Sequence, residues 1–458
     1  MTTISPAPLR AWLRSGAAPL VVLALVSLLS LGARAYQLGQ PCQLPCTTAG
    51  DHTLVFDEAY YVNAARVIAH IRPPAGSHYD QSPLGTDPNA EHPQGAKLLM
   101  AGAIELFGDG PFAWRIGSII FGSLAILGMY ALVRSAGGGR WSAVGAASLL
   151  AADNLMIVSG RIGTLDVYAL APMLFGVAFY LRGRLVPAIL ALALADCMKE
   201  VAPYALLVIG LLELGRVVLA RGDPGLPAGW RLRPALLRFS LVVLGSLAGF
   251  ILGLWVMGLI ATPYADSARQ LITGGPFAHL WHIITYAEAL TAPHGASGIA
   301  SYPWQWLFDK GAITYLGVSA PLPGHAAGIT PVCEFLGEIS PPILALAIPA
   351  LLFCLIRVTG LPRRRGGARS DGELQLALLA VAWFLGTWGP YEAQSAFEHR
   401  ISYLYYMISV MPGIYLATTV LASSLWRTRR VWLRGTVGAW VVSVGVFAVI
   451  MYPFVAAF

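Results

Sequence analysis

The stretch AWRIGSIIFGSLAILGMYALV, residues 113–133, decides what kind of protein this is. Its single charge is Arg115 and most of its other residues are apolar. It is long enough to cross the ~30 Å hydrocarbon layer of a bilayer as an α-helix. Lipid offers the backbone no hydrogen-bond partners, so a spanning segment must be a helix or a strand of a closed barrel. Barrel strands alternate polar and apolar residues, and this run does not. It therefore predicts a membrane-spanning helix.

Similar runs recur along the whole chain, which has 458 residues, 57% hydrophobic and 12% charged residues, and a mean hydropathy of +0.65. No water-soluble domain has enough interior for so much apolar surface. The sequence predicts an all-α integral membrane protein, a single polytopic domain over residues 1–458 with eleven spans. The predicted spans are 18–36, 113–133, 142–158, 165–181, 185–198, 202–219, 237–259, 340–357, 375–390, 403–425 and 436–456.

Arginines predict the orientation, because short basic loops stay on the cytoplasmic side. With a cytoplasmic N-terminus, the arginine-rich segments fall inside and two long loops, 37–112 and 260–339, fall outside. The net charge of +7 is then a topology signal and not a sign of nucleic-acid binding. The arginine-rich segments lie at residues 10–14, 134–140, 182–184, 216–238, 357–369 and 426–435.

The five cysteines and the glycine patterns carry little chemistry. Cys42 and Cys46 are either a small disulfide or two free thiols, and the spacing leaves both open. There is no zinc-like spacing, no phosphate-binding P-loop and no dinucleotide fingerprint. No cofactor is expected, and a divalent metal has no support from the sequence.

The first long loop opens with LVFDEAYYVNAARVIAHI, residues 54–71, in which Asp57 and Glu58 stand at the head of a helical pattern. Apolar side chains recur there with the period of an α-helix. The pattern predicts an amphipathic helix in the outer interface, with its apolar face toward acyl chains or other spans. A second short helix is expected between Gly95 and Gly108. The apolar stripe consists of Tyr60, Ala64, Val67, Ile68 and Ile71.

Ionisable residues at membrane boundaries are costly and tend to be functional. In the predicted topology a set of them gathers at the outer face, and all three lysines of the chain are there against the positive-inside trend. Cations on the unfavoured side suggest that an anion is held. The candidates are Asp57, Glu58, His92, Lys97, Arg161, Asp166, Lys199, His294 and Arg400; Asp153 and Asp196, within spans, are expected to be hydrogen-bonded in the bundle.

Six motifs in order carry a family resemblance: FDE at 56–58, EHPQGAKLL at 91–99 leading into FGDGPFAWR at 107–115, DNLMIVSGRIGTLD at 153–166, CMKEVAPYAL at 197–206, SYPWQW at 301–306 and HRISYLYYMISVMPGIYLA at 399–417. From about residue 50 to 425 the chain resembles the protein O-mannosyltransferases and their bacterial relatives, which are C-type membrane glycosyltransferases using lipid-phosphate-linked sugars. It departs from the family's usual HPPLGK, with HPQGAK, and it lacks the large soluble insert of eukaryotic members.

The resemblance implies an inverting transfer of a sugar, mannose in this family, from a polyprenyl- or dolichyl-phosphate donor to an acceptor hydroxyl, such as Ser or Thr of a protein, on the outer membrane face. Asp57 matches the family's proposed base. A basic wall of Lys97 and Arg161 is expected opposite it. The further implied roles are acceptor or donor positioning for Glu58, His92 and Asp166, and lipid-phosphate binding for Lys97, Arg161, Lys199 and Arg400.

Structural interpretations stand beside these roles. Asp57 is also suited to capping a helix, and Lys97 to anchoring its short helix at the interface. Arg161 with Asp166, or Lys199 with Glu200, would serve as structural ion pairs.

Two other functions fit the same composition. One is a transferase of a pentose or aminosugar onto a lipid or cell-wall glycan. The other is a transporter, although transporters place their charges near the midplane and show paired repeats. The Arg- and Gly-rich usage favours a bacterial plasma membrane. Expected partners are the lipid-linked sugar, an acceptor protein or glycan, and membrane lipids.

Overall fold

The computed structural model describes residues 16–42, 46–222, 226–292, 295–308, 310–319, 332–360 and 371–453. These segments are mainly helical, with two small sheets outside the helix bundle. The helices are α1 (Ala18–Ala35), α2 (Glu58–Ile68), α3 (Gly95–Phe107), α4 (Pro111–Ser135), α5 (Arg140–Ala152), α6 (Asn154–Ser159), α7 (Leu165–Leu181), α8 (Leu185–Met198), α9 (Tyr204–Gly222), α10 (Leu232–Ile260), α11 (Gly275–Ala289), α12 (Pro303–Trp306), α13 (Pro341–Leu344), α14 (Ala347–Thr359), α15 (Asp371–Glu398), α16 (Met407–Trp426) and α17 (Val431–Ile450). The strands are β1 (Thr86–Asp87), β2 (Thr262–Ala265), β3 (Gln270–Leu271), β4 (Ile313–Ser319) and β5 (Val332–Gly337).

Within the described part of the chain, seven helical segments are long and apolar enough to cross a membrane, and α7 and α8 are apolar but shorter. The prediction of an all-α multi-pass membrane protein is confirmed, but the count of eleven spans is not. Two predicted spans account for much of the difference. The segment 142–158 breaks at Asp153 into α5 and α6, and α9 carries Glu213, Arg216 and Arg221. The seven segments are Ala18–Ala35, Pro111–Ser135, Leu232–Ile260, Pro341–Thr359, Gly372–Glu398, Leu404–Trp426 and Val431–Ile450.

Helix ends follow local sequence signals. The long helix α4 begins with Pro111 directly after Gly110, which suits the first helical position because proline has no amide hydrogen to leave unpaired. As an example of a helix C-terminus, α14 ends before Gly360, whose φ of 73° lies in the left-handed region that glycine adopts without strain. Asp153 caps α6 by accepting a hydrogen bond from the amide of Leu155 at 3.3 Å.

Small residues let the helices of the bundle approach closely. A Cβ added to Gly176 of α7 would lie 2.7 Å from Leu192 Cγ of α8, and one added to Gly253 of α10 would lie 2.3 Å from Cys197 Sγ. Helices in lipid associate through such close packing, because burial from water contributes no driving force there. The resulting core joins α4, α7 and α8 to α15 and α16.

The first long loop folds into α2 and α3, which confirms the two short helices. The expected bounds of the second, Gly95 and Gly108, are also confirmed: α3 starts at Gly95, and Gly108 caps its end. The position of α2 differs from the prediction. Glu58 and all residues from Tyr61 to Ile68 are buried, including the polar Asn63 and Arg66. α2 is therefore enclosed by protein on almost every side, because α3 and β1 cover the face expected to meet water.

One small sheet joins the two long loops. β1 of the first loop pairs in parallel with β2 of the second, with Thr86 opposite Thr262, and β3 extends this sheet antiparallel to β2. β4 and β5 form a separate antiparallel pair. The ring of Tyr315 in β4 stacks on Phe56 with centroids 4.3 Å apart. These contacts hold the residue before Asp57 against the second loop.

The two ends of α4 mark opposite ends of the bundle. Its first turn carries Arg115, which is paired with Glu58. It ends beside Gly137, which lines a cavity with Arg357 and Arg427 from the ends of other helices. A helix of 25 residues is about 37 Å long. The Asp-Glu motif and these arginine-bearing loops thus lie at opposite ends of the molecule.

Candidate active site

Asp57 lies where the first long loop turns into α2. It is the residue before the first turn of the helix, and its half-buried side chain lines a cavity of about 390 Å³. Phe56 just before it has a φ of 54°, which is uncommon for a non-glycine residue and is held by the stacking on Tyr315. Most of the cavity wall is aromatic. The other lining residues are Phe56, Tyr60, Tyr61, Tyr79, Asn89, Glu91, His92, Tyr286, Leu290, Ile299, Tyr403, Tyr405 and Tyr406.

The surroundings of Asp57 make it a weaker acid than an ordinary aspartate. Burial raises the pKa of its carboxyl to about 6, while the positive charge of nearby Lys199 and a hydrogen bond from Tyr61 limit the rise. A carboxylate with this pKa is ionised at neutral pH and still has appreciable proton affinity. That combination suits a group that accepts a proton during a reaction.

Glu58 lies outside this cavity. Its carboxylate is fully buried and accepts hydrogen bonds from Arg115 Nε at 2.8 Å and Arg115 Nη2 at 2.7 Å. The amides of Val55 at 2.8 Å and Gly163 at 2.7 Å donate to the same carboxylate. The predicted contact of Glu58 with an acceptor therefore has no support from its position. Instead it ties α2, α4 and the segment before α7 together directly beneath Asp57.

Lys97 is also withdrawn from the cavity. Its ammonium is fully buried, pairs with Asp87 at 2.7 Å, and donates to the carbonyl of His92 at 3.2 Å and to that of Asn89. Asn89 and His92 line the cavity, so Lys97 stands one layer behind its wall. The expected direct contact with a lipid phosphate is not supported by this placement. Lys97 fixes the loop that carries His92.

Arg161 is the second predicted cation that the structure does not bring to Asp57. Its Nη2 donates to the carbonyl of Tyr36 at 2.8 Å, and its guanidinium lies 5.4 Å from the ring centroid of Phe335 and 5.2 Å from that of Tyr452. The expected basic wall of Lys97 and Arg161 opposite Asp57 is therefore not what the structure contains. The reason is that both side chains are used in packing the loops onto the bundle.

Asp166 and Lys199 form a buried ion pair behind the aromatic wall, with Nζ and Oδ2 2.8 Å apart. The ammonium of Lys199 also lies 5.5 Å from the ring centroid of Tyr405 and 5.9 Å from that of Tyr406. Burial works to lower the pKa of Lys199, but the negative charges of Asp166 and Glu200 outweigh it and raise the pKa overall. Lys199 is therefore a permanent positive charge beside Asp57. Its ion-pair partner is Asp166, and not Glu200 as the alternative interpretation of the sequence predicted.

His92 connects the Asp57 cavity to a second one. Its Nδ1 lies 2.8 Å from Oε2 of Glu200, and Glu200 lines a separate groove of about 560 Å³. Burial opposes ionisation of Glu200, yet His92 and Lys199 bring its pKa down to about 2. Glu200 is therefore anionic at neutral pH, and its contact with His92 lies at the boundary between the two cavities.

The groove is apolar along most of its length and polar at one end. Leu247 and Ile251 of α10 face Ile283 of α11, and Arg400 closes the polar end with Glu200. Arg400 is held by the carbonyl of Ala287 at 3.1 Å and by Gln394 Oε1 at 2.9 Å. The carboxylates of Glu288 and Glu398 also line the groove, with Arg400 as the cation among its lining residues. The apolar length of the groove suits a long hydrocarbon tail.

The other residues singled out in the sequence either lie away from the Asp57 cavity or fall outside the described residues. Asp153 accepts a hydrogen bond from Tyr415 at 2.6 Å, as expected for a bundle residue. The carboxyl of Asp196 is buried without a hydrogen-bond partner among the described residues, which differs from the expectation. Cys42 and Cys46 form a disulfide. His294 lies outside the described residues.

Several residues of the site were not identified from the sequence. They are Arg115, which holds Glu58; Asp87, which holds Lys97; and Asn89 and Glu91, which line the cavity. Arg115 had a usable signal, since it is the single charge in the run at 113–133. The others sit in a turn-rich segment where periodicity carries no information. Among the described residues, no three His, Cys, Asp or Glu side chains are grouped to hold a metal ion.

Comparison with known proteins bears on residues 91–183, which match the family described as dolichyl-phosphate-mannose-protein mannosyltransferase. A polyprenol-phosphate-mannose–protein mannosyltransferase of Corynebacterium glutamicum is 36% identical over 118 residues. That alignment covers 25% of this chain and 22% of the relative. The family resemblance predicted from the motifs is thus confirmed over the segment from His92 to Asp166.

Similarity of fold extends over almost the whole chain. The Saccharomyces cerevisiae protein O-mannosyltransferase Pmt1–Pmt2 complex, bound to the sugar donor, matches 95% of this chain and 90% of its own with a TM-score of 0.68 at 13% identity. ArnT of Cupriavidus metallidurans, bound to undecaprenyl phosphate, matches 96% of this chain and 76% of its own, with a TM-score of 0.51 at 16% identity. The oligosaccharyltransferase of Archaeoglobus fulgidus matches 98% of this chain and 57% of its own, with a TM-score of 0.55 at 12% identity. The chain therefore has the C-type glycosyltransferase fold, and over residues 91–183 its sequence is similar to that of the protein O-mannosyltransferases.

Proposed function

We propose that this protein is an inverting glycosyltransferase that moves mannose from a polyprenyl-phosphate donor to a Ser or Thr hydroxyl of a protein. The observation that carries the proposal is the position of Asp57, whose carboxylate faces an aromatic cavity joined through His92 and Glu200 to an apolar groove. The name of the Corynebacterium relative, a mannosyltransferase acting on proteins, supports the choice of sugar and acceptor.

The groove between α10 and α11 would hold the polyprenyl chain. Its apolar walls belong to helices that also face lipid, so a tail can enter sideways from the bilayer; Leu252 of α10 and Trp281 of α11 are both exposed. The phosphate would then lie at the polar end, next to Arg400 and His92, with Lys199 adding positive charge from behind. Lys97 and Arg161 are not assigned to the phosphate, because both are used elsewhere.

The transfer needs one proton acceptor and stabilisation of the leaving group. The acceptor hydroxyl gives its proton to the Asp57 carboxylate while its oxygen forms a bond to the anomeric carbon of the sugar. The bond between that carbon and the phosphate oxygen breaks, and polyprenyl phosphate leaves with the electron pair. Attack from the side opposite the phosphate inverts the anomeric centre. Cations aimed at the phosphate stabilise the charge that develops there.

The proposed compartment follows from charge. Arginine-bearing loops meet at one end of the bundle, next to Gly137, and the Asp57 cavity lies at the other. Since basic loops remain in the cytoplasm, the cavity would open on the outer face of a bacterial plasma membrane. The acceptor would then be a protein that has already crossed the membrane.

The test is transfer by the purified protein in lipid nanodiscs, offered polyprenyl-phosphate-mannose and a Ser/Thr-rich peptide, with products read by mass spectrometry. We expect a gain of one hexose on the peptide. Asp57→Asn should reduce the rate by roughly 100- to 10,000-fold, the usual contribution of a positioned base. The matched control is Asp80→Asn, an aspartate of the same loop that lies outside the cavity and accepts a hydrogen bond from the amide of Gly76.

Three results would decide against parts of the proposal. Full activity of Asp57→Asn would show that Asp57 is not the base. Product formed only with a pentose or aminosugar donor, or only on a glycan or lipid acceptor, would change the substrates and keep the chemistry. No binding of any polyprenyl phosphate, together with uptake of a soluble solute, would identify a transporter.

A further inference from the structure

One wall of the Asp57 cavity is built from the short loop Asp87–His92, and this loop is unusually well fixed. Lys97 binds the Asp87 carboxylate and the carbonyls of Asn89 and His92. On the outer side, Nε2 of His279 lies 3.0 Å from the carbonyl of Ala90. Polar side chains mounted on this loop therefore have defined positions before any ligand arrives, as recognition of a small molecule requires.

Asn89 holds two other polar side chains of this wall in place. The residue is 4% exposed, and its Nδ2 donates to Tyr79 Oη at 3.0 Å and to Glu91 Oε2 at 3.2 Å. Because a carboxylate can only accept, the nitrogen must face Glu91, which leaves Oδ1 on the opposite side of the amide. Oδ1 is buried without a hydrogen-bond partner among the described residues. What Asn89 contributes to the cavity wall is its amide nitrogen, which fixes the positions of Tyr79 Oη and Glu91 Oε2.

Glu91 and Tyr79 complete a polar cluster on the same wall. Both line the cavity with Asn89. Since the hydroxyl of Tyr79 accepts from Asn89, its own proton remains to be donated, and burial raises the pKa of this phenol further above its usual value so that it stays protonated. Glu91 and Tyr79, positioned by Asn89, offer a carboxylate acceptor and a hydroxyl donor. That is the pattern needed to bind two neighbouring hydroxyl groups of a sugar ring.

We propose that Asn89, Glu91 and Tyr79 form the subsite that binds the hydroxyls of the transferred sugar and selects which sugar is accepted. The inference rests on the proposed function, because it takes the lipid phosphate to lie beside His92. A sugar attached to that phosphate would reach Glu91, the neighbour of His92 in the loop. The subsite selects a neutral sugar with free hydroxyls, and the carboxylates of Glu91 and Asp57 repel a uronic acid.

The experiment measures equilibrium binding to the full-length protein in nanodiscs with three probes: polyprenyl phosphate, polyprenyl-phosphate-mannose and polyprenyl-phosphate-glucose. The wild-type protein should bind the mannosyl lipid more tightly than the bare phosphate. Asn89→Ala should weaken binding of the mannosyl lipid about 10-fold, because Tyr79 and Glu91 lose the amide that positions them, and leave the bare phosphate within about twofold. Glu91→Gln keeps the shape of the side chain and should narrow the difference in binding affinity between the mannosyl lipid and the glucosyl lipid.

The control is Thr86→Ala, which removes a polar group from the same segment but outside the cavity; its hydroxyl donates to the carbonyl of Pro83. An equal loss of affinity for bare and sugar-bearing lipids in Asn89→Ala would overturn the inference, since Asn89 would then support only the fold. Unchanged binding of all three probes in both cavity variants would overturn it as well. A wild-type protein that binds none of the probes would overturn the proposed function itself.

Discussion

Asp57 owes its properties to residues that do not line its cavity. Its backbone position is set by Glu58, whose carboxylate receives four hydrogen bonds from Arg115, Val55 and Gly163. Its charge is balanced by Lys199, which is itself held by Asp166. The adjacent acids of the motif thus do different work: one faces the cavity and the other anchors the first.

The pKa of Asp57 predicts the pH dependence of transfer. A base must be deprotonated to act, so the rate at low substrate should rise about tenfold per pH unit below pH 6 and level off above it, given the pKa of about 6. An ordinary aspartate would give this rise near pH 4. The measurement is the initial rate of transfer between pH 4.5 and 8.5. A rate independent of pH over this range would contradict the role of Asp57.

Removing the anchor should cost stability as well as activity. Glu58→Ala leaves the guanidinium of Arg115 buried without its carboxylate, which costs about 3–5 kcal/mol in the free energy of unfolding. Thermal unfolding of the detergent-purified protein measures the loss. Glu105→Ala, which removes an exposed glutamate of α3, is the control and should leave the melting temperature unchanged. Equal melting temperatures for both variants would show that the pair does not hold the site.

At the level of secondary structure, α11 separates the two cavities. Ile283 and Ala287 face the groove, while Tyr286 and the following Leu290 face Asp57. A helix can serve both because residues three and four apart share a face and their neighbours turn away. The sheet of β1 and β2 acts similarly. By pairing Thr86 with Thr262, it holds the loop that lines the Asp57 cavity next to the start of the second long loop.

The groove between α10 and α11 gives a prediction at this scale. Ile251→Trp places a large ring inside the groove and should weaken binding of polyprenyl phosphate by at least about tenfold, because the tail loses the apolar surface it would cover. Leu244→Trp adds the same ring to the same helix at an exposed position outside the groove. Its affinity should stay within about twofold of wild type. Equal affinities for the two variants would place the tail elsewhere.

For the whole molecule, the arrangement of charges predicts its orientation in the membrane. Cysteines introduced at Ala75, in the first long loop, and at Arg429, after α16, lie near opposite ends of the bundle and are both exposed. In a background with Cys197, Cys333 and Cys354 replaced by serine, a membrane-impermeant maleimide added to intact cells should label position 75 and not 429. Labelling with the reverse pattern would place Asp57 on the cytoplasmic side.

The sequence by itself determined the class of the protein, because membrane helices are specified by continuous apolar runs that need no partner to be identified. It also determined the motif order, which carries the family resemblance found over residues 91–183, and it identified Asp57 as the acid to examine. These properties depend on residues close together in the chain. The boundaries of α3 and α7 were predictable for the same reason.

Only the tertiary structure decided which charged residues face the cavity. Lys97 and Arg161 look equivalent to Lys199 and Arg400 in the sequence, yet the first two are paired inside the loop layer and Arg400 closes the groove. The partner of a buried charge is chosen by packing between distant segments, such as Glu58 with Arg115 or His92 with Glu200. No local pattern encodes those pairings, because the free energy that selects them arises only when the loops and helices meet.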